Sequence, residues 1–184
     1  MFFRTPVGVF KGAVCPVPLG ARNTAFCMQK AKSQRSGLKK MAERKETDFV
    51  VIHCSATKPD MDIGAKDIDR WHRQKGWRKI GYHYVIKRDG TIEEGRDLGE
   101  VGAHARGINS KSVGICMSGG IADDGKSEDN FTDEQWNALG PLVNQMKVAF
   151  PDAEVLGHRD LPNVAKDCPC FDVREWWKET EVTS

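Results

Sequence analysis

Residues 48–59 read DFVVIHCSATKP. The run Phe49–Ile52 is too short for a helix and is rich in β-branched residues, so it predicts a strand buried on both faces. It delivers His53 at its end, and the strand ends of an α/β sheet are where ligands bind. Two further runs repeat this pattern. Val113–Met117 is a short apolar stretch closed by Gly119-Gly120, and Glu154–Leu156 leads directly into His158. Between these strands the period changes to that of helices. Ala65–Lys75 places Ile68, Trp71 and His72 on one face and stops at Gly76. Thr132–Phe150 opens with a capping box, Thr132 with Gln135, and buries Trp136, Leu139, Leu142, Val143 and Met146. Asp172–Glu179 is a last helix, capped by Asp172 with Glu175. Tyr82–Lys87 and Thr91–Gly95 flank Asp89-Gly90, a hairpin signal. Strands interleaved with helices predict an α/β fold, a single domain with a central mixed β-sheet flanked by helices.

The chemistry-bearing residues cluster on these strand ends. His53, His158 and Cys168 supply two imidazoles and one thiolate, three good zinc ligands. A structural zinc site closes with four protein ligands, whereas a catalytic one keeps a position for water. Lys166 precedes Cys168 by two residues, and Tyr82 lies in GYHYVIKRDG, residues 81–90. The set suits metal-activated water attacking a carbonyl, with Lys166 beside the developing oxyanion and Tyr82 relaying a proton. Each residue also has a plain reading: a satisfied polar histidine, a solvated lysine, a core aromatic beside a hairpin. A Cys–His thiol hydrolase is the competing chemistry, but a metal-bound thiolate is not free to attack. His72 and His83 read as structural, since His83 and Tyr82 would alternate across a strand. His104 and Asn109 sit in the Gly-bearing loop of AHARGINSKSVGI, residues 103–115, a candidate place for substrate contacts.

Composition limits the alternatives. The 184 residues are 39% hydrophobic, enough for one domain with a sizeable core. No stretch approaches the ~18 apolar residues of a membrane span. The net charge of +2 is unevenly placed. Residues 1–42 hold eight Lys or Arg and no acid, which leaves 20 basic and 26 acidic residues in the remainder. That net −6 argues against nucleic acid as a direct partner. Residues 1–42, with Pro6, Pro16 and Pro18 and no periodicity, read as a basic disordered leader or an over-long gene start, with Met41 as the natural beginning. The domain proper is expected over 43–184. The chain has six cysteines, but a domain this large needs no disulfide framework, and folding in a reducing cytosol is expected. Cys54 and Cys116 read as small buried hydrophobes, and Cys168 with Cys170 could form only a strained disulfide.

Six stretches in one order carry a resemblance: FVVIHCSATKP (49–59), DIDRWHRQKGW (67–77), GYHYVIKRDGTIEEGRD (81–97), VGAHARGINSKSVGICMSGG (101–120), FTDEQW (131–136) and CPCFDVREWW (168–177). Together they resemble the zinc amidases of the peptidoglycan-recognition superfamily, the type 2 N-acetylmuramoyl-L-alanine amidases, and within them the T-seven-type phage lysozymes. The resemblance implies zinc on His53, His158 and Cys168, catalysis by Tyr82 and Lys166, and a substrate groove bordered by the loop of His104 and Asn109. It implies hydrolysis of the amide between N-acetylmuramic acid and L-alanine, as a phage endolysin in host lysis. Such an enzyme would wait in the host cytoplasm until the membrane is permeabilised and then reach the wall. The phage relatives also bind and inhibit their RNA polymerase, which makes that polymerase a second expected partner. A monomer that neither enters a membrane nor binds nucleic acid directly is expected. Non-catalytic receptors of the superfamily typically lack the metal cysteine, which Cys168 supplies here. The chain departs from its close relatives at Cys170, where they carry serine. Cys168 holds the matching place before proline.

Overall fold

The computed structural model describes residues 41–183. The first apolar run forms β1, Phe49–Cys54, and extends past its hydrophobic stretch so that His53 lies inside the strand. In chain order there follow α1 (Ala65–Gln74), β2 (Tyr84–Ile86), β3 (Ile92–Glu94), β4 (Ser112–Met117), α2 (Asp133–Ala149), β5 (Glu154–Gly157) and α3 (Val173–Thr183). The strands make one sheet in the order β3-β2-β4-β1-β5. Only the β2/β3 hairpin is antiparallel. This is the single α/β domain with a mixed sheet that the sequence predicts. β1 and β4 are buried along nearly their whole length, which explains why they read as unbroken apolar runs.

The two faces of the sheet do different work. One buries Val50, Ile52, Val113, Ile115 and Met117 against Leu139, Leu142, Val143 and Met146 of α2 and Val173 and Trp177 of α3. The other places Val85 and Cys116 against Ile68 of α1, with Ile63 and Ile80. Because side chains alternate along a strand, His53 falls on this second, thinner face, in register with Cys116 of β4. On its other side β1 pairs with β5 in parallel, Ile52 opposite Gly157. The next residues along the two strands are His53 and His158, so the register alone makes them neighbours.

The ends of α2 follow the capping logic. Gln135 N–H donates to Thr132 Oγ1 at 3.2 Å and Thr132 N–H to Gln135 Oε1 at 3.2 Å. The fully buried Gln135 amide also donates to Ile86 O (3.2 Å) and Ser118 O (2.9 Å), tying the helix start to the ends of β2 and β4. The helix runs through Pro141, whose missing N–H leaves the carbonyl of exposed Asn137 without its helical donor.

The hairpin departs from expectation. β2 begins at Tyr84, so Tyr82 and His83 precede the strand. Both rings flank His104, at centroid distances of 6.4 and 5.8 Å. His83 is structural, as read: its Nδ1 accepts from Gly114 N–H at 3.0 Å and its Nε2 donates to Glu100 O at 2.9 Å.

The body is one unit, Lys40–Ser184. Val101 N–H donates to Ala42 O at 2.8 Å, and the Arg44 guanidinium bonds Ser112 O at 2.9 Å and Leu98 O. Among the described residues Ala42 is already bonded to the body, and the expected leader up to residue 40 lies outside the described residues. No helix among the described residues is long and apolar enough to cross a membrane.

Candidate active site

His53, His158 and Cys168 converge. One potential ligand atom from each lies within 4.8 Å of the other two. His53 comes from β1 and His158 from the single 3₁₀ turn that ends β5, His158–Asp160. Cys168 comes from the following loop, pinned by Cys54 N–H donating to its sulfur at 3.3 Å and by Arg159 N–H donating to its carbonyl at 2.7 Å. His53 Nδ1 stands 3.9 Å from Cys168 Sγ, and the His53 and His158 rings are 4.6 Å apart.

The electrostatics suit a cation. Burial, then His104 and His158, hold His53 well below the ordinary imidazole range. Burial and then Lys166 lower His158. Both imidazoles are therefore neutral near pH 7, the form that binds metal. Behind His53 runs a relay of hydrogen bonds. His53 Nε2 lies 3.0 Å from His104 Nδ1, His104 Nε2 lies 3.2 Å from Ser112 Oγ, and the Ser112 hydroxyl donates to Ile108 O at 2.8 Å. Since Ser112 spends its proton on Ile108, it accepts from His104 Nε2–H, and His104 Nδ1 accepts from His53 Nε2–H. The lone pair of His53 then sits on Nδ1, facing Cys168, as an outer-shell partner would fix it. His104 stays neutral, its pKa lowered to about 3 by burial and by His83. Gly114 makes this possible, because a Cβ there would stand 2.5 Å from the His104 ring.

The donors open onto a groove of about 620 Å³, also lined by Tyr82, His104, Lys166, His72 and Trp77. The Tyr82 ring is 5.1 Å from that of His53. Burial, with Cys116 and Cys168, pushes its phenol well above the usual range, so it stays protonated at neutral pH. Lys166 is exposed on the loop before Cys168. Of the two residues read as substrate contacts, His104 lines the groove and Asn109 does not. Asn109 Oδ1 instead accepts from His104 N–H (2.8 Å) and Ala105 N–H (2.9 Å), holding the loop in shape.

The groove wall also includes His72 and Trp77, which the sequence reads as structural and as packing. His72, assigned to structure, does accept Gly81 N–H at Nδ1 (3.0 Å), yet it lines the groove and stacks on Trp77 at 4.3 Å. Trp77 is 41% exposed. The signal was the five-residue spacing in WHRQKGW, where Gly76 at φ +85° turns the chain back so that Trp77 covers His72.

A family profile described as N-acetylmuramoyl-L-alanine amidase matches residues 43–171. An endolysin of Klebsiella phage KP32 is 45% identical over 142 residues, covering 77% of this chain and 93% of that protein. The endolysin of Escherichia phage T7 is 42% identical with the same coverage. Among solved structures, the N-acetylmuramoyl-L-alanine amidase LysC from Clostridium intestinale superposes with a TM-score of 0.66 at 25% identity, covering 82% of this chain and 93% of that one. Bumblebee PGRP-SA superposes with a TM-score of 0.62 at 26% identity, covering 80% and 90%.

Proposed function

The chain belongs to the N-acetylmuramoyl-L-alanine amidase family and is an enzyme of the phage endolysin kind; from this premise we propose that its cofactor is zinc, held by His53, His158 and Cys168, and that Tyr82 and Lys166 serve the chemistry. The observation that carries this reading is the three-donor cluster at the floor of the groove, two neutral imidazoles and a thiol. The N/S donor set suits zinc, and three protein donors leave a position open. When bound, zinc would supply an activated water and polarise the scissile carbonyl.

The chain's own residues do the rest. The Lys166 ammonium, at the groove mouth beside His158, offsets the negative charge that develops on the carbonyl oxygen. The Tyr82 phenol, kept protonated by burial, donates to the reacting centre and relays a proton toward the leaving amine of L-alanine. His104 orients His53 and forms part of the wall that meets the substrate, while Asn109 acts through the loop it shapes. The intact donor cluster counts against a non-catalytic peptidoglycan receptor. Inhibition of a phage RNA polymerase would be an additional property on a surface away from the cluster. A monomer that stays in the host cytoplasm until the membrane is permeabilised completes the reading.

Metal analysis of the purified full chain tests it. One zinc per chain is expected, with retention strongly weakened in Cys168→Ser and kept in Cys170→Ser. Full retention in Cys168→Ser with loss in Cys170→Ser would move the thiol ligand to the other cysteine.

A further inference from the structure

Beside the metal donors lies a second pair of sulfurs that the amidase chemistry does not use. Cys54 Sγ and Cys170 Sγ are 3.7 Å apart, although the residues are 116 positions apart in the chain. Cys54 ends β1 and is 7% exposed. Cys170 is half-buried at the groove, and its thiol is held by the carbonyls of Asp167 (3.0 Å) and Gly120 (3.1 Å). Its backbone is left-handed, with φ +82°, a conformation a non-glycine residue adopts at a cost. The opposite wall is fitted to the pair: a Cβ on Gly120 would stand 2.7 Å from Cys54 Sγ and 3.3 Å from Cys170 Sγ. A link between Cys168 and Cys170 would be strained. The fold instead turns Cys170 toward Cys54, while Cys168 takes the Cys54 N–H and faces His53.

We propose that Cys54 and Cys170 are a disulfide-forming site, closed by exchange with a low-molecular-weight disulfide such as oxidised glutathione. The half-exposed Cys170 sulfur attacks one sulfur of the oxidant. The oxidant's S–S bond breaks, a mixed disulfide forms on Cys170, and one small thiol leaves with the Cys170 proton. Cys54 sulfur then attacks the Cys170 sulfur, the mixed disulfide breaks, and a second small thiol leaves with the Cys54 proton. Two protein thiols are oxidised and one small disulfide is reduced to two thiols. The sulfurs must approach from 3.7 Å to about 2.05 Å. The Cys170 loop can supply that movement while β1 stays paired on both sides. The bond would clamp the loop carrying Cys168 to the strand carrying His53, and by closing so long a loop it would raise thermal stability.

The test uses the full chain with its metal, incubated with excess oxidised glutathione. Non-reducing peptide mapping with fragmentation reads the linkage. A bond between the Cys54 peptide and Cys170 is expected, absent in Cys170→Ser and Cys54→Ser, with a melting temperature raised by about 5–10 °C and restored by dithiothreitol. A stable glutathione adduct on Cys170 alone, a Cys168–Cys170 bond, or a bond from Cys170 to Cys15 or Cys27 would overturn the proposal. So would a Cys54–Cys170 bond that leaves the melting temperature unchanged. None of these readouts depends on amidase activity.

Discussion

Tyr82 and Lys166 reach the groove by different routes, and that difference governs what their removal should do. Tyr82 is packed beside His53 and His72, at 5.1 and 5.7 Å, whereas Lys166 is exposed on a loop. Neither belongs to the cluster of His53, His158 and Cys168. Lys166→Ala should keep its zinc and its melting temperature and lose about 10²–10³ in turnover, the scale of a lost oxyanion donor. Tyr82→Phe keeps the ring packing and should lose about 10²–10⁴, the scale of a lost proton relay. Near-normal turnover in both would remove them from the mechanism, and loss of zinc in either would make them part of the metal site. The convergence of His53, His158 and Cys168 could be anticipated because imidazole and thiolate advertise their chemistry by type. The relay from His53 through His104 to Ser112 could not, because it depends on a close approach across Gly114 that no local spacing encodes.

The segment that starts α2 joins three elements, so it offers a graded test of how the sheet is held. Thr132→Ala removes the cap acceptor for Gln135 N–H and the hydroxyl that donates to Arg88 O. A loss of about 1 kcal/mol is expected. Gln135→Ala removes the reciprocal cap and strips donors from two carbonyls, Ile86 O and Ser118 O. A larger loss of about 2–4 kcal/mol is expected, because buried acceptors left unmatched cost more than the bond itself contributes. Denaturant unfolding of the two variants checks the order, and a Gln135→Ala loss no greater than that of Thr132→Ala would contradict it. The capping box itself was readable from Thr132 and Gln135, as were all three helices and the five strands. Their edges were less so. The apolar pattern of β1 stops at Ile52 while its backbone pairing continues to Cys54, and the hairpin pairs over a shorter span than its residues suggest. Register was invisible to local pattern, yet it is register that sets His53 beside His158.

For the whole molecule, the expected boundary between leader and body can be tested by truncation. A chain beginning at Met41 retains the Ala42 and Arg44 bonds to Val101, Gly99, Leu98 and Ser112. It should melt within a degree or two of the full chain and clear cell walls as well, whereas a chain beginning at Lys45 should melt distinctly lower. A large drop on removing residues 1–40 would show that the leader contributes to the fold. The overall architecture follows from alternating strands and helices, but the groove draws its walls from β1, α1 and loops distant in the chain. This groove is expected to cleave a muramyl–alanine amide with a metal held by His53, His158 and Cys168. The most direct test is digestion of purified sacculi, scoring new N-terminal L-alanine against new reducing sugar ends, with and without a zinc chelator. L-alanine amines should be released without reducing ends, with release abolished by the chelator and restored by zinc. Reducing ends without new amines, or amine release indifferent to the chelator, would contradict it.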